Sequence, residues 1–470
     1  MRIKLGYPHL VRHISRAVGG GLVLDENATC LQAVTHLTTD SREVETGDLF
    51  IALRGQGDDG HRYAGEAIRR GASCVVSEYT QGDLESGVCH ILVKDTWEAL
   101  AAFARAHASD IPHRTVAITG SVGKTTTRRY LSSLLSEHVH VWESPENYNN
   151  LLGSCLTLLS MPRETEVLVA ECGMDGAGQI SRLSHLLTPD IAVITNIGIS
   201  HLEKLGTQRR IAEAKLELLD AMPSPCLFAE GSDPYLRELA PFAHFVSASN
   251  EACPWHAENI RCDGQGTSFD AVTPSGVYAA LRIPTVGIHT LSCAMLALAV
   301  ADTLGISEEE VRRGLKHYTP ASMRQATKQI DRVTLFIDCY NACPASMQAA
   351  FHSAALLARA SGGRMLALLG DMLELGEDSD THHRAVGAAL FRAGGAHLFC
   401  QGAYAPCYAA GAMEAGMPDG SIHLLPIRPD AAGREIAAAL SAHDVLLIKG
   451  SRGARMEALI PYIEKALDAH

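Results

Sequence analysis

Short runs of contiguous apolar, β-prone residues recur along this chain, and the stretches between them carry apolar residues at three- and four-residue spacing. Contiguous apolarity marks strands covered on both faces, so the alternation predicts parallel sheets wrapped by helices. Residues 114–119, 166–171 and 190–196 are such runs in the middle of the chain, and residues 333–338, 365–371, 396–400 and 445–450 repeat the rhythm nearer its end. Upstream the pieces are shorter. A turn, strand and turn are expected over 47–55, a helix over 64–70 closed by Gly71, and a buried strand over 73–76. The fold class is therefore α/β in three units: a small N-terminal domain over 1–110, a central domain with a mostly parallel sheet over 111–320, and a second doubly wound domain over 321–470. A chain of 470 residues is long enough for about two to four such cores.

Open parallel sheets bind ligands at the carboxyl ends of their strands, and Thr119, Glu171 and Asn196 end the three central runs. The first run breaks into Gly120-Ser121-Val122-Gly123-Lys124-Thr125-Thr126. This reads as a phosphate-binding loop. Its glycines let backbone N–H groups approach phosphate oxygens, Lys124 reaches the β- and γ-phosphates, and Thr125 offers a hydroxyl to Mg²⁺. A helix starting near Lys124 turns its positive end on the same anion. The usual loop has its first glycine where Ile118 stands, whereas here only two residues separate Gly120 from Gly123, which counts against the common GTPase and helicase readings.

Composition narrows the partners. A net charge of −13 argues against general nucleic-acid binding, which needs concentrated Lys and Arg, and leaves room for a local basic site for a small anion. No window approaches the roughly 18 uninterrupted apolar residues of a membrane span. The start, Met1-Arg2-Ile3-Lys4-Leu5-Gly6-Tyr7, lacks the apolar centre of a secretory signal, so no membrane insertion and a cytoplasmic location are expected. Thirteen cysteines without a Cys-x-x-Cys pair suggest reduced thiols in cores, not disulfides or a zinc site.

Other polar residues gain meaning only in combination. Glu171 is placed for a metal, or equally for capping the next turn. Taken alone, His201 reads as an ordinary surface or core histidine. Lys215, within Ile211-Ala212-Glu213-Ala214-Lys215-Leu216, reads as the solvated face of an amphipathic helix. Asn147-Tyr148-Asn149-Asn150 is a loop and helix N-cap, or a set of amides holding an anion and metal-bound water.

Together these motifs resemble the Mur ligases over nearly the whole chain. Thr39-Asp40-Ser41-Arg42, Gly47-Asp48-Leu49-Phe50-Ile51 and Asp59-Gly60-His61 are similar to the family's amino-terminal UDP-sugar signature, and residues 120–126 to its shortened loop. Asn147-Tyr148-Asn149-Asn150, Glu171-Cys172-Gly173-Met174, residues 196–203 and Ala214-Lys215-Leu216-Glu217 follow in family order. Asp338-Cys339-Tyr340-Asn341-Ala342-Cys343-Pro344, Leu369-Gly370-Asp371-Met372 and Lys449-Gly450-Ser451-Arg452-Gly453 resemble the branch that adds D-alanyl-D-alanine.

The resemblance implies a domain for the UDP-muramyl peptide, a central ATPase domain and a mobile Rossmann-like domain that closes over the nucleotide, in a monomer. It implies an ATP-dependent ligase of peptidoglycan precursor synthesis, with UDP-N-acetylmuramoyl-tripeptide and D-alanyl-D-alanine as substrates. On this basis Lys124 neutralises phosphate charge, Thr125 and Glu171 hold a first Mg²⁺, and His201 and Lys215 serve a second, the lysine as a carbamate formed with CO₂. Gly120, Ser121, Val122, Gly123, Thr126, Asn147, His289, Arg324, Asp338, Tyr340 and Asn341 face the nucleotide, with Asp338 on its ribose. Ser41, Arg42, Asp59, Asn149 and Asn150 face the muramyl substrate.

Three departures stand out. The family's Gly-x-His-Asn-x-x-Asn segment, which contacts adenine, reads Gly287-Ile288-His289-Thr290-Leu291-Ser292-Cys293, Glu146 stands where glycine is preferred, and Cys339 and Cys343 stand where serine and asparagine are common. A ligase of the same mechanism with another acceptor, as in folylpolyglutamate synthases, and a nucleotide- or UDP-sugar-binding paralogue without turnover therefore stay open.

Overall fold

The computed structural model describes residues 1–24, 33–55, 57–79, 88–145 and 147–468; Glu146 lies outside them. Among the described residues the strands form three sheets. The middle sheet runs in the order Gly276–Ile283, Gly266–Thr273, Trp255–Asp263, His244–Ser247, Leu227–Glu230, Ile191–Ile194, Arg114–Thr119, Val167–Glu171 and Val141–Glu143. Its pairs are parallel from Trp255–Asp263 onward, and antiparallel pairing adds the first two strands. Register places Ile194 beside Thr119 and Ile118 beside Glu171, so the carboxyl ends of three strands share one rim. The three expected central strands are present. The strands beyond them were not anticipated, because Trp255–Asp263 and Gly276–Ile283 mix buried and exposed residues instead of forming apolar runs.

The third sheet runs Ala326–Ile330, Val333–Ile337, Val445–Lys449, Met365–Leu369, Gly395–Cys400 and Ile422–Leu424, all parallel except for the first pair. The four strands expected here form its centre, and two strands with no buried residue flank them. The first sheet is mixed, with Arg2–Leu10, Ala33–Thr38, Leu49–Ile51, Cys74–Ser77, Cys89–Leu92 and Gly21–Leu24 in that order.

The first and middle sheets are joined by one continuous apolar core that runs from Leu5 and Ile91 to Leu158, Met174 and Leu227. The approach is close. A Cβ on Gly6 would lie 1.9 Å from the Met161 carbonyl oxygen. Beside it a buried His9–His107 pair spans 2.8 Å, and the other His107 nitrogen meets the Met161 carbonyl at 3.0 Å. Burial pushes the His9 pKa down to about 4, so a neutral, hydrogen-bonded pair seals the seam. The third sheet instead buries two cores of its own, one on each face.

Candidate active site

The strand Arg114–Thr119 is buried after its first residue, because every later side chain lies between covering layers. The chain then turns through Gly120 at φ +149° and Gly123 at φ +89°, and the helix Lys124–Leu135 begins. Tyr130, Leu131, Leu134 and Leu135 bury one face of that helix. The loop is clamped from the next strand end. Asn196 accepts the Val122 N–H at 3.1 Å and donates to its carbonyl at 2.9 Å, while the Ser121 hydroxyl accepts the Gly198 N–H at 2.8 Å. No side chain caps the helix at Gly123, so its first N–H groups remain available to an anion.

On the inner side of the loop, Thr125 donates to Glu171 Oε2 at 2.7 Å and Asn149 donates to Oε1 at 3.2 Å. Burial alone would raise the Glu171 carboxyl, but the charges of Lys124, Arg324 and Arg128 outweigh it and hold the group below its ordinary range. Burial lowers the Lys124 ammonium, whose Nζ rests on the Gly120 carbonyl at 2.8 Å. Lys215 is only 2% exposed, not on the solvated face that its helix pattern suggests. Among the described residues no carboxylate pairs with it. Burial, with Lys124 nearby, drives its pKa far below the usual value. His201, with φ +65°, lies 3.4 Å from Glu374 of the third block. Burial first, with the Lys215 and Lys124 ammonium groups beside it, lowers its pKa to about 4.

A cavity of about 260 Å³ opens between this rim and the third sheet, lined by residues 121–126 on one side and by Arg324, Gln325, Asp338, Tyr340, Asn341 and Lys449 on the other. The Arg324 guanidinium lies 4.1 Å from the Tyr340 ring centre. Lys449 bonds Asp338 Oδ2 at 2.5 Å and the Asn341 carbonyl at 3.1 Å. His289, Thr290 and Cys293 also line it.

The expected residues thus fall into three groups. The loop residues Ser121 to Thr126, His289, Arg324, Asp338, Tyr340 and Asn341 line one cavity, and Glu171, Asn149, His201 and Lys215 gather behind the loop. Asn147 and Asn150 lie nearby, where Asn150 spends its oxygen on capping the helix Leu151–Leu159. Ser41, Arg42 and Asp59 stand apart on the first sheet's loops, bonded to Glu66, Asp40 and His61 respectively. Asn196 was expected on this rim by its strand-end position but not as the loop clamp, and Gln325 and Lys449, the partner of Asp338, were not anticipated as site residues. The available signal was a lysine closing the apolar strand Val445–Lys449.

The donor set fits a hard cation beside a phosphate. Mg²⁺ takes one or two carboxylates and completes its shell with water and phosphate oxygens, and the Thr125–Glu171 pair is such a partial oxygen set. No cluster of three or more His, Cys, Asp or Glu occurs among the described residues, so a dedicated all-protein cage is not formed there.

The chain matches the Mur ligase middle domain over residues 118–301, the Mur ligase glutamate ligase domain over 323–452 and the Mur ligase family catalytic domain over 33–108. It is 33% identical over 453 residues to the UDP-N-acetylmuramoyl-tripeptide–D-alanyl-D-alanine ligase of Bacillus subtilis, spanning 96% of this chain and 97% of that protein. The Escherichia coli ligase of the same name is 29% identical over 91% of this chain and 93% of its own length. A crystal structure of MurF from Acinetobacter baumannii superposes with a TM-score of 0.86 at 28% identity, over 98% of this chain and 100% of that one. MurF from Thermotoga maritima in complex with ADP gives 0.82 at 26% identity, over 92% and 98%.

Proposed function

The chain belongs to the Mur ligase family, and we propose that it uses ATP to join D-alanyl-D-alanine to UDP-N-acetylmuramoyl-tripeptide in the assembly of peptidoglycan precursors. The observation that carries this reading is the cavity between the Lys124 loop and the Asp338–Lys449 wall, with Glu171 and the buried Lys215 behind it.

A carboxylate is a poor electrophile until one of its oxygens can leave. In this reaction a tripeptide carboxylate oxygen attacks the γ-phosphorus, the bond to the bridging oxygen breaks, and ADP departs from an acyl phosphate. The dipeptide amine then attacks the acyl carbon. The C–O bond to phosphate breaks, the amine gives up its proton, and amide and phosphate result.

Lys124, released from the Gly120 carbonyl, meets the β- and γ-phosphates, and the uncapped helix start faces them. Thr125 and Glu171 hold Mg²⁺, which when bound neutralises phosphate charge and aligns the transferring group. His201, neutral at ordinary pH, serves a second ion. So does Lys215, whose buried amine, its pKa lowered, would in its uncharged form add CO₂, forming an N–C bond and losing a proton, to become an oxygen ligand. Asp338 takes the ribose, and Ser41, Arg42 and Asp59 take the muramyl nucleotide.

The test follows ADP and ligated product with Mg²⁺, ATP and both substrates. Turnover is expected only with all of them present. Rapid phosphate release without the dipeptide refutes the reading, and a panel of other acceptors scored by mass spectrometry shows whether the acceptor has changed.

A further inference from the structure

The residues expected to read the purine ring are those in which this chain departs from its family. Thr290 spends its hydroxyl on the Gly287 carbonyl at 2.8 Å. Cys293 lies beneath the phosphate loop, its Sγ 3.8 Å from the Gly123 carbonyl. Neither offers an amide to a base.

The same cavity carries another amide, on Gln325. Its Nε2 meets Nε2 of His289, while its Oε1 is buried with no hydrogen-bond partner. Buried carbonyl oxygens are seldom left unpaired, because the lost hydration is not recovered until a donor arrives. The backbone is bent to hold this side chain in place. Gln325 sits at φ +52°, an unfavourable region for glutamine, and its N–H is held by Asp338 Oδ1 at 3.2 Å. The amide is thereby fixed relative to the acid that pairs with Lys449. Burial keeps His289 neutral, its pKa lowered to about 4, so one ring nitrogen can accept the NH₂ end of the amide and leave the carbonyl end for a ligand.

We propose that Gln325 reads the base in this site: Oε1 accepts a hydrogen bond from the 6-amino group of adenine, in place of the missing asparagine amides, and selects a 6-aminopurine over a 6-oxopurine. A 6-oxo group would set two acceptors against each other. The proposal rests on the reading of the cavity as the ATP site.

Calorimetry on the full chain tests it without turnover, comparing ADP, IDP and purine riboside diphosphate, which carries only hydrogen at position 6. The wild type is expected to bind ADP about tenfold more tightly than purine riboside diphosphate, and IDP more weakly than either. In Gln325→Met, which keeps the length and removes both polar atoms, ADP weakens about tenfold while purine riboside diphosphate changes little. That unchanged affinity also reports a folded protein. Gln325→Glu, with an acceptor oxygen in the same place, keeps the preference for ADP. Equal weakening of all three nucleotides in Gln325→Met, loss of the preference in Gln325→Glu, or equal wild-type affinities for ADP and purine riboside diphosphate overturns the assignment. A wild type that binds none of the three overturns the ATP-site reading itself.

Discussion

Asp338→Ala isolates what holds the third-block wall of the site. Lys449 is 2% exposed and Asp338 15%, and besides the 2.5 Å contact to Oδ2 the ammonium reaches the Asp338 carbonyl at 3.2 Å and the Asn341 carbonyl at 3.1 Å. The substitution leaves it two carbonyls and no counter-charge. Stripping one partner from a fully buried pair costs about 3–5 kcal/mol. The retained carbonyls and the partial exposure of Asp338 bring the expected loss to about 2–3 kcal/mol. Lys449→Met is milder, at about 1 kcal/mol, because the stranded carboxylate is reached by solvent and still accepts the Gln325 N–H. The double variant should regain most of what Asp338→Ala loses. A multidomain chain does not unfold in two states, so the readout must be local. Amide exchange by mass spectrometry, without nucleotide, over residues 333–338 and 445–449 should accelerate roughly 30- to 150-fold in Asp338→Ala. If the single effects simply add in the double variant, or if Lys449→Met is the worse of the two, the buried ammonium is not what Asp338 neutralises.

If Lys124 meets the phosphates as proposed, Lys124→Met should lower ligation at least about 100-fold with the circular dichroism spectrum unchanged. In Gly120→Ala the new Cβ would sit 1.8 Å from Thr195 Oγ1 at a φ of +149°; calorimetry should show ADP binding weakened at least about tenfold by the displaced loop, and unaltered affinity would disprove that account. His9, His201 and His289 each have a pKa lowered to about 4 from 6.5. The unfolded chain then binds the protons that the folded one refuses, so stability is complete above about pH 6.5 and falls on acidification toward pH 4, by up to about 1.4 kcal/mol per pH unit for each histidine. Amide exchange around the three histidines across that range, corrected for its intrinsic pH dependence, reports it, and protection that rises on acidification contradicts it.

The centre of both large sheets was legible because an apolar run ended by a polar residue leaves little choice of period, and the glycine loop carries its own turn chemistry. The edges were not. Ala326-Thr327-Lys328-Gln329-Ile330 has no buried residue and follows no apolar pattern, yet it pairs along its whole length with Val333–Ile337. The site was half legible for a related reason. Thr125 and Lys124 belong to a local motif, whereas Lys449 is drawn inward by Asp338, 111 residues earlier. Lys215 has the spacing of a surface lysine, and only the packing of its helix shows that the ammonium end is buried. Gln325 likewise acquires meaning from His289 and Asp338, and Asn196, legible as a strand end, gains its role as the loop clamp only from Val122, 74 residues earlier.

The division of the core shapes how the two halves of the site can communicate. Lys124, Glu171, His201 and Lys215 belong to a body in which the first and middle sheets share one apolar core, and the Gly6–Met161 approach leaves no room for slippage there. Asp338, Gln325 and Lys449 belong to a block with its own cores. Across the seam stand polar contacts, His201 with Glu374 at 3.4 Å, Ser353 with the Val286 carbonyl at 2.7 Å, and Gln325 with His289. Val286 and Ile199 join the third-block core from the body side. Parting the first two sheets splits one continuous apolar core, whereas the third block keeps its own cores, so the seam is the weaker joint. A nucleotide that bonds the Lys124 loop on one side and Gln325 and Asp338 on the other ties that joint together. Its binding free energy then stabilises both halves at once, whereas a ligand held by the loop alone would leave the third block as free as before.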